Sequence, residues 1–299
     1  MNNSHDNNPL VSVGLVTYNR VRYLSGVIDS WLAQTYKNFE LIISDDASSD
    51  ETQKICEERV RKDKRIRYFR QKKNLNVPLN FKFVLQEAKG KYFIWATDDD
   101  LWDKRLLEDC VNVFQQNPKL VMVFPHMVDI DKDGKNIKYF NPAKYIPLSE
   151  SLYERLKNFM LFYIGDGKNQ LLLGLWERKA ILNDPLFGLL VKNDHPPYYW
   201  GFDNYFIFCN LAKGPIGFVP QVRFFRRSRV LEDHLSPRQI LLRLAFTFFH
   251  RLKKIFDSPY FYYIMRRILL TEKLSWVEKL KLLGWNFYIM TRLFLRRKI

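Results

Sequence analysis

From Leu10 to Phe124, short apolar runs alternate with stretches of helical spacing, and this alternation constrains the fold more than any other feature of the chain. Leu10–Thr17 is apolar and β-branched and reads as a buried strand. Val21–Gln34 sets Leu24, Val27, Ile28 and Trp31 at helical spacing. Phe39–Ser44 reads as a second strand. Ser49 and Asp50 are capping residue types ahead of a polar helix through Val60. Arg65–Arg70 alternates like a third strand, Phe81–Ala88 is helical, and Tyr92–Thr97 is a fourth strand. Leu106–Gln115 reads as another helix and Val121–Phe124 as an apolar strand. Repeated strand–helix–strand order predicts an α/β fold with a mostly parallel sheet and helices on both faces. Ligands of such sheets bind beyond the carboxyl ends of the strands.

Those ends are chemically distinctive. The first strand runs into Thr17-Tyr18-Asn19-Arg20, the second into Asp45-Asp46, and the fourth into Asp98-Asp99-Asp100. One sheet edge therefore gathers an aromatic ring and five carboxylates, which repel one another unless a cation is present. Hard oxygen donors of this kind suit Mg²⁺ or Mn²⁺. A divalent ion in turn binds a diphosphate, so the edge is expected to receive a nucleotide. An Asp-Asp pair after a strand serves equally as a helix cap or turn, and Asp46 keeps both readings. Three aspartates in a row exceed what capping requires, because one cap needs one oxygen.

The segment VSVGLVTYNRVRYLSGVIDSWLAQTYKNFELIISDDASSDET resembles the opening of glycosyltransferase family 2, inverting enzymes of the GT-A fold. The order V-S-V, T-Y-N, Q-T-Y, F-E-L and D-D-x-S-x-D-x-T carries the likeness, and GKYFIWATDDDLW resembles the family's acidic metal segment. The resemblance is strong to about Phe124, weaker to about Pro220 and absent beyond. It implies a Rossmann-like, mostly parallel mixed sheet flanked by helices. It also implies nucleotide binding by Thr17, Tyr18, Arg20, Asp46 and Asp98. Tyr18 would stack on the base, Asp46 would hydrogen-bond it (uracil being the usual base), and Asp98 would lie near the ribose. Asp99 and Asp100 would hold Mn²⁺ or Mg²⁺ at the diphosphate, with the direct ligand left open between them. Arg20 is as readily a solvated helix-start residue.

Further along, LLLGLWERKAI and WGFDNYFIFCNLAKGPIGFVP resemble the part of the family that precedes and contains an acidic pair, often Glu-Asp. Here Phe202 stands for the Glu and Asp203 keeps the Asp, which makes Asp203 the candidate general base. Asp194 and Asp166 are its rivals. Trp176 and Trp200 are either acceptor-side or core residues. RFFRRSRVLEDHLS offers Arg226, Arg227, Arg229 and His234 in place of the family's closing basic stretch and His, from which a His or Arg would reach the diphosphate or metal. The Gln-x-x-Arg-Trp of processive synthases is absent, so transfer of a single sugar is expected. The donor would be a nucleotide diphosphate sugar, a UDP-sugar by default. The acceptor would be a glycan or a lipid-linked hydroxyl, in cell-surface polysaccharide or lipid-linked glycan assembly.

Charge is unevenly spread. The chain carries +16, and Ser236–Ile299 holds 14 Lys and Arg against 3 Asp and Glu, a surplus of 11. Within it Trp276, Leu280, Leu283, Phe287, Met290 and Phe294 recur at three- and four-residue steps, with Lys281, Arg292 and Arg296 roughly opposite. The division expected is 1–235 as the GT-A unit and 236–299 as a basic amphipathic helical tail. That tail either packs on its own domain or meets an anionic membrane surface. Nucleic acid is not expected as a partner, since the acidic sheet edge repels phosphates and no nucleic-acid motif is present. The alternatives kept are a nucleic-acid- or membrane-binding protein on an inactive transferase-like fold, and a nucleotidyltransferase. The latter would need a Gly-rich loop that LVTYNRVRY lacks. A 47% hydrophobic content excludes a disordered chain. Cys56, Cys110 and Cys209 fit buried thiols better than a disulfide or zinc framework. The opening MNNSHDNNPL does not read as a secretory signal, which places the expectation in the cytosol, with a peripheral position on the inner membrane face as a variant.

Overall fold

The computed structural model describes residues 8–144, 149, 151–161, 168–182, 202–228, 268–269 and 271–284. Among these, β1 (Val11–Thr17), β2 (Phe39–Asp45), β3 (Ile66–Arg70) and β4 (Tyr92–Ala96) alternate with α1 (Val21–Leu32), α2 (Thr52–Lys62) and α3 (Val77–Glu87). The chain continues through β5 (Leu101–Trp102), α4 (Leu106–Gln116), β6 (Met122–Ile130), β7 (Asn136–Phe140) and α5 (Leu152–Leu161). After these come β8 (Leu175–Glu177), α6 (Arg178–Ile181), α7 (Phe202–Leu211) and β9 (Ile216–Arg227). A further helix occupies 276–284.

The nine strands form one sheet in the order β3-β2-β1-β4-β8-β6-β9-β5, with β7 attached to β6. Pairing of β1, β2, β3 and β4 is parallel, as the alternating sequence predicts. Beyond β4 the sheet becomes mixed: β8 runs antiparallel to β4 and β6, whereas β6 and β9 are parallel. This is the mostly parallel mixed sheet of the expected GT-A arrangement.

Strands β1, β2 and β4 are buried almost throughout because helices cover both faces, which is why they read as continuous apolar runs. The predicted stripe of α1 is realised: Leu24, Val27, Ile28 and Trp31 are all fully buried. Trp31 packs against Trp102, and Trp102 stacks on Phe224 at 4.3 Å, so α1, β5 and β9 share one aromatic seam. Gly14 allows close packing of α3 on β1, since a Cβ there would lie 2.7 Å from both Phe93 and Val84.

Two boundaries differ from the sequence reading by more than two residues. The third helix starts at Val77 rather than Phe81, because Pro78 is well suited to a first helical turn, where no N–H is needed. Strand β6 runs on to Ile130, past the predicted end at Phe124. Its polar residues Asp129 and His126 interrupt the apolar run, and the ladder to β9 shifts register on either side of His126 before continuing to Ile130. All three cysteines are buried and none is in a disulfide.

Candidate active site

The register of the sheet assembles the site. Thr17 pairs with Asp45, and Leu15 pairs with Ala96, so the loops after β1, β2 and β4 leave the sheet side by side. The backbone N–H of Tyr18 donates to Asp98 Oδ2 at 3.2 Å, and Arg20 Nε lies 3.8 Å from Asp98 Oδ1. The Tyr18 ring is half exposed at this edge, at 47%. Thr17 is buried beneath it.

A second set of bonds fixes the loop after β1 against the loop after β2. Asn19, at φ +52°, donates its N–H to Ser48 Oγ and accepts the N–H of Ser49. An asparagine tolerates this left-handed conformation better than most residues. Asp50 accepts the N–H groups of Val21 and Thr52, so it closes the starts of both α1 and α2. These partners are not evident from spacing alone, since they lie about thirty residues apart in the chain.

Each carboxylate of the rim has a distinct environment. Asp45 is fully buried and accepts from the Ser48 N–H and the Tyr68 hydroxyl, with Arg70 Nε 3.7 Å away. Asp46 accepts the N–H groups of Leu75 at 2.6 Å and Asn76 at 3.1 Å, and burial raises its pKa. Asp98 is pushed up to about 6, first by burial and then by neighbouring Asp99. Asp100 is pushed up to about 7 by the same two causes in the same order. Both Asp100 oxygens are engaged, one by the Thr97 hydroxyl and the other by the N–H of Arg227 at 2.7 Å. Arg227 also donates from Nε to the Asp99 carbonyl and from its guanidinium to the carbonyls of Asp131 and Lys132. One arginine thereby ties the aspartate triplet to the turn between β6 and β7. Arg226 instead makes a two-pronged pair with Asp129.

Asp203 opens α7 and is largely buried. Its Oδ1 accepts the Asn204 N–H at 2.8 Å and the Asn204 amide at 3.2 Å. Burial raises its pKa, against the opposing pull of donors from Asn204 and Asn169. Trp176 is a core residue: it is 1% exposed, and its indole N–H donates to the Leu172 carbonyl. Asp166, Asp194, Trp200, Arg229 and His234 lie outside the described residues. Sequence reasoning missed Thr97 and Tyr68 as anchors of rim carboxylates. Adjacency to the triplet was the available signal for Thr97, whereas Tyr68 carried none.

Among the described residues no group of three or more His, Cys, Asp or Glu is placed to hold a metal ion by itself. Mg²⁺-type sites commonly need only one or two carboxylates beside substrate phosphates, so this donor set fits such an ion. Burial first, and the neighbouring Asp99 charge second, raise Asp98 and Asp100, and the second of these is what a divalent cation would relieve.

Solved structures share the architecture. The S. aureus TarS 1–349 complex with UDP matches 93% of this chain and 70% of its own, with a TM-score of 0.64 and 15% identity. The mannosyltransferase PcManGT of Pyrobaculum calidifontis, in complex with GDP-Man and Mn²⁺, matches 94% and 74% with a TM-score of 0.52 and 15% identity. The fold is thus that of GT-A transferases. The model of glycosyl transferase family 2 matches residues 12–169, more than half of the chain, and the protein belongs to that family. An uncharacterized glycosyltransferase of Rickettsia felis is 31% identical over 145 residues, 48% of this chain and 23% of its own length. Another from Haemophilus influenzae is 34% identical over 140 residues, 47% and 56% respectively. The matched stretch therefore spans roughly a quarter to a half of these curated relatives. Family membership does not favour the nucleic-acid-binding alternative.

Proposed function

We propose that the protein transfers a single sugar from a nucleotide diphosphate sugar to an acceptor hydroxyl with inversion at the anomeric carbon. The observation that carries this reading is the meeting of Tyr18, Arg20 and Asp98 at the carboxyl ends of β1 and β4, beside the Asp99-Asp100 pair. An aromatic face for a base and hard carboxylates for a cation-bound diphosphate stand there together. Structures of the same fold bind UDP, UDP-GlcNAc and GDP-Man, which supports a nucleotide sugar as donor.

In this reading the exposed Tyr18 ring stacks on the base. Asp46, whose oxygens also hold the loop at 74–76, accepts a hydrogen bond from the base. Arg20 and Asp98 bracket the ribose. Asp99 and Asp100 hold the cation at the diphosphate, and the Thr97 hydroxyl and the Arg227 N–H orient the Asp100 carboxylate for it. A bound Mg²⁺ or Mn²⁺ supplies charge neutralisation for the departing nucleoside diphosphate. Asp203 accepts the proton of the acceptor hydroxyl, and burial gives its carboxylate the higher proton affinity a base needs near neutral pH. Inversion by direct displacement requires no covalent sugar intermediate, and the three buried cysteines have no part in it. We take residues 1–235 as the transferase unit and 236–299 as a basic tail, of which all but 268–269 and 271–284 lies outside the described residues. The acceptor is a glycan or lipid-linked hydroxyl, consistent with work on cell-surface glycans in the cytoplasm.

Thermal stabilisation by a panel of UDP-, GDP- and dTDP-sugars, with and without Mn²⁺, tests donor binding directly. At least one sugar nucleotide should raise the melting temperature only when the cation is present. No stabilisation by any of them, with Mn²⁺ or Mg²⁺, overturns the reading. Asp203→Asn should lower transfer by about 10²–10⁴ with donor affinity retained. Wild-type turnover in that variant removes Asp203 as the base.

A further inference from the structure

The helix at 276–284 carries an apolar face that its own fold leaves in solvent. Trp276, Val277 and Leu280 are 69%, 61% and 65% exposed, while Leu274 and Leu282 on the other side are buried. The spacings of four and three residues put the three exposed side chains on adjacent turns of one surface. Exposed apolar residues are ordinary when scattered, but a contiguous group on one helix face calls for a partner.

The face is held rigidly. Ser275 and Glu278 form a reciprocal cap: Ser275 donates its N–H and hydroxyl to the Glu278 carboxylate, and the Glu278 N–H returns to Ser275 Oγ. Trp276 and Val277 therefore occupy a fixed first turn. Lys279 is buried with its ammonium 4.9 Å from the centre of the Trp276 ring, which braces the indole without covering it. Exposed Lys273 and Lys281 flank the patch.

We propose that this face docks on an anionic lipid bilayer. Charge selects this occupant over a second copy of the chain. Among the described residues at this face Lys273, Lys279 and Lys281 outnumber Glu272 and Glu278, and Ser236–Ile299 as a sequence carries a surplus of 11 positive charges, so an anionic surface attracts the segment whereas a second copy of it is repelled. Tryptophan is also the residue type best suited to the headgroup boundary, with an apolar body and a polar N–H. Among the described residues no helix is long and apolar enough to cross a membrane, so the attachment is peripheral.

The test uses the full chain in co-sedimentation with phosphatidylcholine vesicles with and without phosphatidylglycerol. The wild type should bind only the vesicles containing phosphatidylglycerol, and less at high salt. The double variant W276E/L280E should bind them at least tenfold more weakly. Equal binding of wild type and double variant, or no binding by the wild type, overturns the proposal. Sedimentation velocity without lipid provides a further decision: a wild-type dimer that the double variant dissociates assigns the face to a second copy and also overturns it. Sugar-nucleotide stabilisation of the double variant should equal that of the wild type, so the fate of this surface and that of the donor site are read separately.

Discussion

The two acidic corners of the sheet edge look alike in sequence and are built for different ends. At the corner after β2, Asp45 and Asp46 receive backbone N–H groups and a tyrosine hydroxyl on all four oxygens, and they pin the loops after β2 and β3 in place. At the corner after β4, three consecutive carboxylates share a small volume and the pKa of two of them rises to about 6 and about 7. Every oxygen of the first corner accepts a hydrogen bond from the protein. The second corner has donors for Asp98 and Asp100 too, but it sets Asp99 between them, and burial together with that neighbouring charge raises both. Residue type alone does not separate the two corners; burial and the crowding of the carboxylates do.

That contrast breaks most readily at Asp99. Asp99→Ala should lower transfer by about 10²–10³ and abolish the tightening of donor binding by Mn²⁺. Steady-state transfer assays and thermal shifts check both halves, and retained cation dependence contradicts a metal contact by Asp99. Asp45→Ala should act on the opposite quantity. Leaving the Ser48 N–H and the Tyr68 hydroxyl without their acceptor should cost about 2–5 kcal/mol of folding stability in chemical denaturation. A stable Asp45→Ala protein that has lost only donor binding would mean that both corners serve the ligand.

Tyr18→Ala should weaken donor binding by about 1–3 kcal/mol in calorimetry, while Tyr18→Phe should bind as the wild type does, because stacking uses the ring and not the hydroxyl. Equal losses in both variants would point to the hydroxyl instead. The smallest effect expected is one of pH. Asp98 and Asp100 have folded pKa values of about 6 and about 7 against an ordinary 3.8. The metal-free native state therefore holds protons that the unfolded chain has lost, and stability falls as pH rises through those values. His126, lowered from 6.5 by burial, acts in the opposite sense, with most of its change complete above that value. In chelator the melting temperature should thus drop by roughly a few degrees between about pH 6.5 and about pH 8, and Mn²⁺ should narrow the gap. A melting temperature that rises over this interval contradicts the unrelieved repulsion of the triplet.

The parallel half of the fold was legible because each of its strands is buried on both faces and each helix buries one stripe. Leu24, Val27, Ile28 and Trp31 announce their burial by spacing. The mixed half was not. Strand β8 has three residues and β5 has two, too few for any period to show. Strand β9 mixes apolar residues with Arg223, Arg226 and Arg227, whose partners Asp109, Asp129 and Asp131 lie about a hundred residues away. The stripe read in the tail had a similar fate. Leu283 is half-buried, but Trp276 and Leu280 of the same stripe face solvent.

Local chemistry written in the chain determined the order of strands and helices in the first half, the family, and the set of carboxylates at the sheet edge. Strand period, helix period and an unbroken run of three aspartates are properties of neighbours, and neighbours are what a sequence records. Which carboxylates are satisfied was decided only in three dimensions. The donors that hold Asp46 and Asp100 come from Leu75, Asn76 and Arg227. Those N–H groups reach the rim only once the sheet has set its register, and a hydrogen bond exists at about 3 Å of space, whatever the separation along the chain.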